Sequence, residues 1–157
     1  MKIEFKKHKT KSATLSITRI DGTQTWSTKV GNLVPHDLCH FAVETILKLE
    51  NSFYGMLAQG ADIQNFEIPN RGERPVLSEE SIWTEFVVNQ FQSELFVGAF
   101  YEDFNAVLRA TFQEKGLKKP TELTENHINQ IRVLCRALVN QWDGVEVGKS
   151  LVLKWGE

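Results

Sequence analysis

The 157-residue chain has only two cysteines, Cys39 and Cys135, and neither sits in a paired metal-binding spacing. This excludes a disulfide scaffold and the C-x-x-C zinc modules, and it predicts two buried, reduced thiols in a cytoplasmic protein. An excess of one charge is also missing: the formal net charge of −2 gives no overall reason to bind nucleic acid or an acidic membrane. No apolar run approaches the roughly 20 residues that span a bilayer. The opening Met1-Lys2-Ile3-Glu4-Phe5-Lys6 lacks an apolar signal-peptide core, so no membrane association is expected. Glycine-rich phosphate loops, dinucleotide fingerprints and nucleophile elbows are absent too, and Ser52 and Ser78 lie in none.

Aromatic residues are plentiful. Ten Phe and four Trp within a 41% hydrophobic composition supply a core large enough for one domain over 1–157, without disulfides. Residues 2–6 alternate weakly, as a first strand would. Their lysines, with Lys7, Lys9 and Lys11, fit an edge strand guarded by charge. Ala13–Ile20 and Thr23–Thr28 alternate clearly around Asp21-Gly22, which predicts a hairpin with a type I′ turn. Pro35 suits a first helical position, so a helix is expected over 35–49.

Residues 59–77 carry Gly60, Pro69, Gly72 and Pro75 with little periodicity, as a long connecting loop or lid would. Arg71, Glu73 and Arg74 give that loop the means to meet an anion, so a small-molecule or protein partner is expected near it. Ser78 should cap a helix whose apolar residues recur from Ile82 to Leu95. Phe100 to Phe112 continue the period beyond Gly98, as a second helix or a kinked extension. Thr124, flanked by Leu123 and Ile128, marks the last helix, and Ser150–Trp155 reads as a closing strand. The expected class is α+β: a small antiparallel sheet of N-terminal strand, hairpin and C-terminal strand packed on about four helices.

The densest chemistry lies in Pro35-His36-Asp37-Leu38-Cys39-His40-Phe41-Ala42-Val43-Glu44. At about 100° per residue, His36, His40, Glu44, Asp37 and Lys48 share one arc, while Leu38, Cys39, Ala42, Ile46 and Leu49 fall opposite. Glu44 and Lys48 form a plausible i,i+4 surface pair. His36 and His40 have the i,i+4 separation at which two imidazoles on one helix hold a single divalent transition metal such as zinc. Glu44 lies about 12 Å of helical rise from His36 and cannot join them on that ion. A third ligand must come from elsewhere, and His127, Glu79, Glu80, Glu85 and Asp103 are the candidates. Asp37 and Glu44 are the candidate catalytic residues, each as a general base or as an orienting second shell.

The stretch His36-Asp37-Leu38-Cys39-His40 resembles the zincin H-E-x-x-H motif, with Asp where that family has Glu. The resemblance implies zinc on His36 and His40 and Asp37 as the base that polarises water. The wider pattern Pro35-His36-Asp37-Leu38, His40-Phe41, Val43-Glu44, Gly55, Gly60-Ala61 and the terminal Leu151, Leu153 and Trp155 resembles an uncharacterised bacterial family, which implies no activity. Two function classes follow. One is a metal-binding, hydrolase-like protein. The other is a non-enzymatic interaction module in which His36, Asp37, His40 and Glu44 form a structural hydrogen-bond cluster.

Overall fold

A computed structural model describes residues 1–31, 33–67, 77–98 and 100–156. The fold is α+β. Strands β1 (Lys2–Lys7), β2 (Ser12–Thr18), β3 (Gln24–Val30) and β4 (Ser150–Lys154) form one antiparallel sheet in the order β3-β2-β1-β4. Four long helices, α1 (Leu33–Leu47), α4 (Glu79–Val97), α5 (Phe104–Glu114) and α6 (Glu125–Asp143), accompany two short ones, α2 (Phe53–Ala58) and α3 (Gln64–Glu67).

The expected edge position of the lysine-bearing first strand does not hold. β4 returns to pair with β1, Phe5 opposite Leu151, and this places β1 inside the sheet. Its lysines serve other ends: Lys7 Nζ donates to the Trp142 and Asp143 carbonyls at 2.7 and 3.2 Å, closing the C-terminus of α6. The hairpin between β2 and β3 forms, but its turn is not type I′. Only Gly22 has positive φ, at 84°, and Asp21 instead accepts from the Thr23 amide at 3.0 Å. An Asp side chain that closes its own turn removes the need for a second left-handed residue.

Ile3, Phe5, Leu15, Ile17 and Leu151 point to one face of the sheet, and α1 fills the space between that face and the helices α4 and α6. The apolar residues of α1, Val34, Leu38, Cys39, Phe41, Ala42 and Val43, are buried, and Asp37, His40 and Glu44 on the polar arc are buried as well. A helix covered on both arcs lies within the core. So the polar arc of the wheel is enclosed rather than solvated. The helix also begins two residues before Pro35 and stops at Leu47. Lys48 follows in left-handed conformation (φ 55°), and among the described residues no ion pair joins it to Glu44.

The segment after α2 is not a bare connector. Ile63 is fully buried, its amide donates to Thr25 Oγ1 at 3.1 Å, and α3 follows directly. Arg71, Glu73 and Arg74 lie outside the described residues. Ser78 and Thr124 cap α4 and α6 by accepting from the Ser81 and His127 amides. Gly98, in left-handed conformation, ends α4, so the phenylalanine period spans two helices.

Candidate metal centre

One helical turn separates His36 and His40, and their rings meet edge to face with centroids 4.9 Å apart. Each imidazole uses Nδ1 to reach an oxygen behind it. His40 Nδ1 meets Glu44 Oε1 at 3.1 Å, and His36 Nδ1 meets Gln92 Oε1 at 2.9 Å. An ionised carboxylate only accepts, so Nδ1 of His40 is the donor there and its Nε2 faces outward.

Outward lies Glu85, on α4. Its Oε2 stands 3.0 Å from His40 Nε2 and its Oε1 stands 3.4 Å from His36 Nε2. His36, His40 and Glu85 can each present one ligand atom, all within 4.8 Å of one another. A tetrahedral zinc ion with legs of about 2.0–2.1 Å holds its ligands about 3.3 Å apart, so the donor set suits such an ion. Glu85 was one of five candidates for the third ligand, and the other four are elsewhere. Glu79 pairs with Lys118, Glu80 accepts from the Asn51 amide, Asp103 caps α5, and His127 sits on α6.

Glu44 is fully buried, and both of its oxygens are engaged. Oε1 takes the His40 imidazole, while Oε2 accepts from the Tyr54 and Gly55 amides at 2.9 and 3.3 Å. Those two amides open α2, whose N-cap residue Ser52 makes no side-chain cap. Glu44 therefore does the capping from another helix, with its charge at the positive end of the peptide dipoles. Gly55 is obligatory here, because a Cβ would fall 2.8 Å from Glu50 Cα and closer still to the Glu50 carbonyl. The general-base role open to Glu44 on sequence grounds has no free oxygen to perform it.

Asp37 turns to the sheet. Its Oδ2 lies 3.2 Å from Lys29 Nζ, with both side chains buried, and the Tyr54 hydroxyl donates to its backbone carbonyl at 3.1 Å. The Lys29 ammonium neutralises Oδ2 across that distance, but among the described residues the atom receives no well-directed hydrogen bond.

Burial works against the charged form of His40, yet the hydrogen bonds and charges of Glu44 and Glu85 outweigh it and raise the pKa from 6.5 to about 10. Glu85 pays a burial cost as well, but the two imidazoles hold it well below the usual carboxylate range. Desolvation pushes Asp37 and Glu44 upward, against the pull of Lys29 on the one and His40 on the other.

A cavity of about 630 Å3 opens over these groups, lined by Lys29, His36, Asp37, His40 and Glu85 and by the apolar Leu33, Phe53, Phe66 and Leu77. Lys29, Gln92 and Phe53 stand in or against the candidate site, and sequence reasoning missed them. For Lys29 a signal was present: Thr25, Ser27 and Lys29 alternate on one face of β3, and that polar face turns inward while Trp26 is 59% exposed. Gln92 follows Glu85 by seven residues, which is two turns on the same face of α4.

No protein-family model, curated protein or solved structure matches the chain.

Proposed function

We propose that the protein binds one divalent transition metal ion, with zinc the best match, through His36 Nε2, His40 Nε2 and the Glu85 carboxylate, and uses it in hydrolase-like chemistry. The convergence of these three groups, with both Nδ1 atoms anchored from behind, carries the reading. Carboxylate–imidazole–metal relays fix the tautomer and increase ligand basicity, which is the part assigned to Glu44. Three protein ligands are the number found in catalytic rather than closed structural zinc sites. An ion held by them would supply a Lewis acid able to polarise a water molecule. Asp37, one residue from His36 and lining the same cavity, is the remaining carboxylate placed to take its proton. Two free, buried cysteines support a cytoplasmic setting.

A zinc titration against a chromophoric chelator tests this. Wild type should compete for about one equivalent, while His36→Ala should lose measurable competition. Equal competition by both proteins would remove His36 from the site.

One observation favours a second reading. His40, clamped between Glu44 and Glu85, already forms a continuous ion pair joining α1 to α4. In that reading the cluster is a structural clip for an interaction module. His36→Ala with His40→Ala would then lower the melting temperature sharply, in a protein that takes up no metal.

A further inference from the structure

The cavity's wall says more than the ligand set alone. Its described lining carries one ammonium, Lys29, and that ammonium faces Asp37 at 3.2 Å. Glu85 adds a negative charge at the rim, and among the described residues the lining pairs each of these charges with an opposite one. Beside the His40 imidazole, at 5.8 Å between centroids, Phe53 packs on Phe66 at 5.2 Å, and Leu33 and Leu77 extend the apolar lining. The volume of about 630 Å3 suits a small molecule. Asp37 Oδ2 supplies the polar counterpart. It is buried, lines this cavity and meets the Lys29 ammonium at 3.2 Å without a well-directed hydrogen bond among the described residues. A buried carboxylate oxygen has more than one lone-pair site, and a well-aligned ligand donor would fill one that the ammonium leaves open.

We infer that this cavity takes a small carboxamide-class ligand: an acyl group whose oxygen faces the His36, His40 and Glu85 cluster, an N–H that donates to Asp37 Oδ2, and a ring-sized apolar substituent against Phe53 and Phe66. An ester has the same acyl group but lacks the donor, which is why the amide is preferred. The inference rests on the metal reading of the site. Hydrolysis of such a ligand consumes one water: its oxygen bonds to the acyl carbon, the C–N bond breaks, and a proton passes to the departing nitrogen. No redox partner is required.

Hydroxamates are the probes, since the unmethylated ones carry a carbonyl, a metal-binding oxygen and an N–H. Zinc uptake by the full chain is measured first. Binding of benzohydroxamate, acetohydroxamate, N-methylbenzohydroxamate and inorganic phosphate to the zinc-loaded protein then follows by calorimetry. Benzohydroxamate should bind about tenfold tighter than acetohydroxamate, and N-methylation should remove about as much, each a factor typical of one buried group or hydrogen bond. Phe66→Ala should erase the phenyl preference, bringing the affinity for benzohydroxamate down to about that for acetohydroxamate. Equal affinity for the phenyl and methyl probes overturns the apolar subsite, and undiminished N-methyl binding overturns the Asp37 contact. Tighter binding of phosphate overturns the substrate class. A protein that takes up zinc but fails these tests leaves the metal reading standing, whereas one that takes up no zinc overturns both.

Discussion

Glu85 presents one carboxylate oxygen to each imidazole, Oε2 to His40 Nε2 at 3.0 Å and Oε1 to His36 Nε2 at 3.4 Å, across the gap between α4 and α1. Its side chain is 51% exposed, so its removal leaves no buried cavity. Glu85→Gln should therefore weaken zinc binding by roughly a hundredfold while lowering the melting temperature of chelator-treated protein less than Glu44→Ala does. Competition titration and a thermal scan of the same sample check both halves. An unchanged affinity would remove Glu85 from the ligand set.

Glu44 should behave in the opposite way. It is fully buried and links His40 to the amides of Tyr54 and Gly55, so Glu44→Ala strands three donors at once. Removing one partner of a buried charged pair costs about 3–5 kcal/mol, and urea denaturation should find a loss of that order. The milder Glu44→Gln should fold and bind zinc about 10–100-fold more weakly, as losses of outer-shell partners do. Wild-type affinity in Glu44→Gln would show that the carboxylate does not orient His40.

Metal-free protein should lose stability in alkali. His40 holds its proton to about 10 in the folded chain against an ordinary 6.5, because Glu44 and Glu85 outweigh its burial. A raised folded value stabilises fully below the unfolded pKa, and the contribution disappears as pH climbs through the folded one. Melting temperature in chelator should thus fall between about pH 6.5 and pH 10, and His40→Gln should flatten that slope. Glu85, shifted downward, contributes with the opposite sign and loses its share as the pH drops below 4.5. A slope identical in His40→Gln would contradict the clamp.

Gly55→Ala tests the link between backbone and site. The added Cβ meets the Glu50 backbone, which cannot swing aside as a flexible side chain would. The strain should displace the start of α2 and take the Glu44 anchor with it. A loss of about 2 kcal/mol or more is expected, with zinc affinity falling in parallel. Wild-type stability would mean that the contact relaxes freely.

These outcomes also mark what sequence could and could not convey. Asp21-Gly22, the Ser78 and Thr124 caps and the His36/His40 spacing are local signals, and each is found where the sequence places it. The same periodicity misplaced other features. It left open which face of β3 turns inward, and the structure turns Thr25, Ser27 and Lys29 to the interior, where they meet α1 and α3 chemistry rather than apolar packing. It put β1 at an edge because nothing local reveals that β4 returns beside it from 146 residues away, where Ser150 bonds Glu4. Glu85 was one of five equivalent carboxylate and imidazole candidates. Only the packing of α4 on α1 selects it. Local chemistry was legible, and partners set by tertiary packing were not.

Elemental analysis of tag-free protein, purified after zinc supplementation and extensive dialysis, tests the central claim most directly. The His36–His40–Glu85 cluster predicts about one equivalent of transition metal per chain, falling to background in His36→Ala. Less than about a tenth of an equivalent in the wild-type chain would contradict it.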